Sequence, residues 1–169
     1  MTDPHTLSDS DWDVLVAVPF AVLLLVGYAD GGLAPAERRA FASIVDEMAG
    51  GTRTTDGPLV REVMGRIARD PGRSMERPER QVGVGLPFYE VLASARALLD
   101  DVPRQDDALA FREAMLRLAQ GVARARPILG RRTSAEEARS IRFIADQLGL
   151  GDRAAVDGDP ATGRTTAAA

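Results

Sequence analysis

Val14-Leu15-Val16-Ala17-Val18-Pro19-Phe20-Ala21-Val22-Leu23-Leu24-Leu25-Val26-Gly27-Tyr28-Ala29 runs for sixteen residues without a charge, and its reading decides the fold. The run is shorter than the ~20 apolar residues that span a bilayer. It contains Pro19, and acids flank it at Asp9, Asp11, Asp13 and Asp30. No basic residue precedes Arg38, so the basic start of a signal peptide is missing. A helix apolar on every side is stable only when other helices surround it. The expectation is a core helix in a soluble, cytoplasmic protein that does not span a membrane.

The rest of the chain supplies suitable neighbours. At 169 residues and 18.1 kDa it can bury one core without metal or disulfide staples. Alanine, leucine, arginine and glutamate, all good helix formers, dominate. Pro35, Pro58, Pro78, Pro87 and Pro103 each precede a run of helical period, where a missing N–H costs little. Gly31-Gly32, Gly50-Gly51, Gly72 and Gly149 mark ends. The pattern predicts helices over 9–29, 35–49, 58–69, 87–101, 103–126 and 134–148, with a short helical turn around 78–83. Stripes at i, i+3, i+4 and i+7 define the core faces Phe41/Ile44/Val45/Met48 and Ile141/Ile144/Ala145/Leu148, and one at i, i+4, i+7 and i+11 defines Phe111/Met115/Leu118/Val122. Ser134 and Glu137 form a capping box at the start of the last helix, and Ser8 or Ser10 caps the first. Gly27, Gly65 and Gly121 lie within helical runs, for which close helix approach is a sufficient reason, and Gly121 equally suits a bend. Residues 1–7 and 151–169 lack apolar periodicity and are expected to be disordered.

Composition excludes whole classes of chemistry. There is no cysteine, so thiolate catalysis and cysteine-ligated zinc are out. All 21 basic residues are arginine, which removes Schiff-base lysines and the P-loop lysine. The one histidine, His5, sits in the N-terminal tail. No nucleophile–base pair and no cofactor fingerprint is visible, and the reading is not an enzyme. The net charge of −4 conceals an uneven distribution. Residues 1–56 are strongly acidic, whereas Arg112, Arg117, Arg124, Arg126, Arg131 and Arg132 face Glu113 alone over 112–132.

Two places hold groups with binding chemistry. In Ala29-Asp30-Gly31-Gly32-Leu33-Ala34-Pro35-Ala36-Glu37, Asp30 and Glu37 have the spacing of positions 5 and 12 of a calcium loop. Val26 and Tyr28 stand where its first oxygen ligands belong. The stretch reads either as a weak site for a divalent cation, Ca2+ or Mg2+, or as a glycine helix stop with Glu37 on the next helix dipole. Arg124, Arg126, Arg131 and Arg132 read either as a grip for phosphate or an acidic partner, or as cations beside a helix C-terminus. No aromatic residue interleaves them and the protein is acidic, so nucleic acid is a poor fit.

A weak internal repeat joins the halves. At an offset of 100, Glu37, Ile44, Asp46 and Gly51 fall on Glu137, Ile144, Asp146 and Gly151. Each of these helices follows a long apolar one, so two pseudo-symmetric helical hairpins are expected in a single-domain, all-α bundle of six to seven helices.

Trp12 heading an apolar helix with Pro19, then Ala29-Asp30-Gly31, Glu37 and the Phe41/Ile44 stripe, resembles the first half of a TerB-like (tellurite-resistance TerB) domain. Phe111, Met115, Leu118, Ser134, Glu137 and Leu148-Gly149-Leu150 resemble its closing hairpin, so the resemblance spans residues 8–150. It implies a non-enzymatic binding or adaptor protein of the stress response, with protein partners at the cytoplasmic membrane face. It also implies a divalent-cation site, carried over to Asp30, Glu37 and Glu137. The chain departs from the family where the second hairpin should show Asp-Gly and instead has Arg126-Pro127. An arginine there repels a cation. The alternative is a metal-free interaction module that docks an acidic partner or membrane headgroups on Arg124, Arg126, Arg131 and Arg132.

Overall fold

The computed structural model describes residues 7–29, 31–51, 53–70, 87–125 and 134–151. Outside them lie the disorder expected at 1–6 and 152–169 and the helical turn expected at 78–83. The described residues form six helices and no strand: α1 Asp9–Gly27, α2 Pro35–Ala49, α3 Pro58–Ala68, α4 Phe88–Asp101, α5 Gln105–Ala123 and α6 Ala135–Gln147. This is the expected all-α bundle. Leu7 is partly buried against the core and Leu150 is buried, so packing begins one residue ahead of the expected boundary.

The uncharged run forms most of α1. Of its 19 residues, 11 are buried, and they point in every direction around the axis. Length and composition alone would let α1 cross a membrane; in the fold it is the centre, touching all five other helices. Pro19 is inside α1 and the helix continues through it. Ser8 fixes the start: its hydroxyl accepts from the Asp11 N–H at 3.2 Å, and the Asp11 carboxylate accepts from the Ser8 N–H at 2.8 Å. The Ser8 hydroxyl and then its N–H, both donating to Asp11, hold that carboxyl below its ordinary value of 3.8. In the same first turn of α1, Trp12 carries the Arg66 guanidinium 4.0 Å over its ring, tying α1 to α3.

The second central helix is α5, which also touches every other helix. Its predicted stripe, Phe111, Met115, Leu118 and Val122, is fully buried. It starts at Gln105 and ends at Ala123, inside the expected 103–126, because Arg104 is its N-cap and Arg124 its C-cap. The two hairpins, α1–α2 and α5–α6, cross-pack: α2 lies on α5 and α6 on α1, while α2 and α6 do not touch. Phe20 and Phe41 seat the first hairpin with ring centroids 5.3 Å apart. The remaining helices fill in, α3 over α1, α2 and α5, and α4 over α1, α5 and α6.

At Gly121 α5 comes so close to α2 that a Cβ would collide with Ile44 Cδ1. Helix propensity favours alanine there by ~1 kcal/mol, and the contact opposes it only weakly, because Ile44 Cδ1 is the free end of a half-buried side chain that can turn aside. Gly121→Ala alone is expected to change stability by less than about 1 kcal/mol, the propensity gain and the shift of Ile44 offsetting each other. With Ile44→Val, which removes the methyl in the way, the same substitution should stabilise. Urea unfolding followed by the fluorescence of Trp12 measures both, and strictly additive effects would show that the contact carries no weight.

Candidate functional site

Sequence reasoning placed the binding groups at the mouths of the two hairpins, and there the structure is specific. Asp30 lies outside the described residues, and so do Arg126, Arg131 and Arg132. Gly31 follows at φ +95°, a left-handed conformation that glycine accepts without strain. The Gly31 N–H donates to Tyr28 O at 3.3 Å and the Gly32 N–H to Gly27 O at 3.3 Å. These bonds close the C-terminal end of α1, so Gly31-Gly32 works as a helix stop.

Glu37 and Glu137 occupy the same position, the third residue of α2 and of α6. Each carboxylate turns back on its own helix. Glu37 Oε2 accepts from the Ala34 N–H at 2.6 Å, and Glu137 Oε2 accepts from the Ser134 N–H at 2.8 Å. The predicted box at Ser134 is complete, since Ser134 Oγ accepts from the Glu137 N–H at 3.0 Å. At the first hairpin only half exists, because Ala34 has no side-chain oxygen. Both glutamates are enclosed, with 0% and 3% of their surface exposed.

The donor set was tested against the cation that the resemblance implies. Glu137 Oε1 is buried without a hydrogen-bond partner, which is one oxygen such an ion would want. Among the described residues, however, no three Asp, Glu or His side chains gather to hold a metal. The helices carrying Glu37 and Glu137 do not pack together. Calcium takes six to eight oxygens and magnesium keeps several waters, and two carboxylates on helices that do not pack together do not supply such a set. Glu37 and Glu137 therefore do not fit a shared divalent site.

The arginine-rich segment divides in two. Arg112 and Arg117 are half-buried and each is paired with a carboxylate. Arg112 is 13% exposed and its NH2 group donates to Asp100 Oδ1 of α4 at 2.5 Å. Arg117 donates to Asp56 Oδ1, across the α2–α3 connection; the Asp56 side chain is wholly buried. Arg124 differs: it is exposed, at the C-terminal end of α5, where a cation is favoured by the helix dipole. Sequence reasoning missed Asp56 and Asp100, whose partners lie 61 and 12 residues away. The only local sign was that α5 carries two arginines along a helix otherwise suited to burial. Arg96 adds a third link, its NH1 group donating to Asp146 O at the end of α6 at 3.4 Å.

The chain matches no protein-family model, no curated protein and no solved structure.

Two sets of substitutions probe this geometry. Arg117→Met strands the buried Asp56 carboxylate and should cost about 3–5 kcal/mol, whereas Asp56→Asn with Arg117→Met should recover much of it. Equal losses in the single and double variants, measured by urea unfolding, would show that the pair is not coupled. Ala34→Ser supplies the hydroxyl that the first hairpin lacks and should stabilise by about 1 kcal/mol. A thermal melt that does not rise would show that the α2 N-terminus cannot accept the second half of the box.

Proposed function

We propose that the chain is a non-enzymatic, TerB-like stress-response protein of the tellurite-resistance type, a binding or adaptor module whose function lies in what it docks. The observation that supports this reading is the cross-packed pair of hairpins, each opening on the same buried glutamate one hundred residues apart. Such an arrangement is what the resemblance to TerB-like domains implies. The cation that the same resemblance assigns to Asp30, Glu37 and Glu137 draws no support from the donor geometry of the two glutamates, and the adaptor reading stands without it.

The docking surface in this reading is the end of α5 and the segment that follows it, with Arg124, Arg126, Arg131 and Arg132. Arg112 and Arg117 are already paired with Asp100 and Asp56, so the arginines left for a partner follow them in the sequence. The exposed Arg124 guanidinium at the C-terminal end of α5 suits bidentate contact with carboxylate or phosphate oxygens. The partners are acidic proteins or anionic headgroups at the cytoplasmic face of the membrane.

The test uses the full chain with two probes, polyglutamate resin and phosphatidylserine vesicles, against phosphatidylcholine vesicles as the neutral control. Retention on one anionic probe, weakened by salt and lost in Arg124→Glu/Arg131→Glu/Arg132→Glu, is expected. Retention on neither, or binding unchanged by the triple reversal, would sink this surface.

A further inference from the structure

The two buried glutamates are the most symmetric polar feature of the fold, and their bonding defines a role different from the one the resemblance gives them. We infer that Glu37 and Glu137 are a matched pair of helix back-caps that set the turn into the second helix of each hairpin, and that neither is a ligand for a divalent cation.

Position carries the first part. A glutamate at the third position of a helix has the reach to return to the N-cap N–H, one of the donors that a helix start leaves orphaned. Both side chains make that bond, at 2.6 and 2.8 Å, from places one hundred residues apart. Enclosure raises the stake, because a buried N–H without an acceptor is costly. The bond also joins the last residue of each connection to the first turn of the helix, so it fixes the angle at which α2 and α6 leave their hairpins.

Electrostatics carries the second part. Each carboxylate sits in the first turn of its helix, at the positive end of the macrodipole. The N–H groups there already offset the negative charge, and a divalent cation would have to approach against the same field. The spare oxygen of Glu137 supplies a single donor where an ion needs several.

The two caps are not of equal weight. Ser134 returns a bond to the Glu137 N–H at 3.0 Å, whereas Ala34 cannot do the same for Glu37. Glu37 therefore carries the whole side-chain cap of α2, and Glu137 shares the cap of α6. A pair of metal ligands has no reason to show that asymmetry.

The experiment is a set of thermal melts of the full chain and of Glu37→Gln, Glu37→Ala, Glu137→Gln and Glu137→Ala. Each is run in EDTA and again with millimolar Ca2+ or Mg2+. Glutamine keeps an acceptor oxygen of the same reach, so both glutamine variants should melt within about 3 °C of wild type. Glu37→Ala should fall by about 5–8 °C and Glu137→Ala by less. If an alanine variant does not fold, its glutamine counterpart still carries the cation comparison. The cation response should be identical in wild type and both glutamine variants, whether that response is zero or a common rise. A rise in wild type that is lost in Glu37→Gln or Glu137→Gln would overturn the inference. Glutamine variants melting as low as the alanine ones would overturn the capping role. Neither result touches the arginine surface, whose test reads different residues and different probes.

Discussion

The fold depends on the enclosure of one helix. α1 has no polar face to give to water, so every other helix must contribute a wall. α2 and α3 come from the segment that follows it, and α4, α5 and α6 arrive from beyond residue 87. That requirement explains the order of the remaining features. The hairpins cross-pack because each first helix needs cover from the second helix of the other, and Gly121 is small because α2 must come down onto α5. Trp12 sits in the first turn of α1, where the Arg66 guanidinium of α3 covers its ring.

α5 solves the same packing problem from a less favourable sequence. It is as central as α1 but carries Arg112 and Arg117, and a partly buried charge is best tolerated when it is paired. Asp100 and Asp56 are those partners, one on the exposed side of the neighbouring helix and one wholly buried in a connection far away in the chain. Charge counted along the sequence therefore overstates the basic surface. Of the three arginines of that run among the described residues, Arg112 and Arg117 are paired and Arg124 stands exposed at the helix end.

Much of the architecture was legible beforehand because it is written locally. Pro35 and Pro58 stand at helix starts, Ser134 and Glu137 carry the spacing of a capping box, and the stripes on α2, α5 and α6 name their own buried faces. The candidate site was legible only in part. Glu37 was marked by its spacing from Asp30, which points equally to a cation loop and to a helix start. Burial and the returning Ala34 bond separate these readings, and neither can be seen in spacing. Asp56 was invisible for another reason: its meaning lies in Arg117, 61 residues on, and no periodicity links the two.

The enclosure of α1 also has a temporal side. As the chain is made, α1 precedes every helix that covers it, and three of those covers belong to residues 88–147. Until they are synthesised, an uncharged helix has only α2 and α3 to shelter it, and exposed apolar surface of that kind is prone to aggregate or to be held by chaperones. The bundle consequently has no natural halfway point. The two hairpins look like repeats, yet each one's central helix is completed by the other's second.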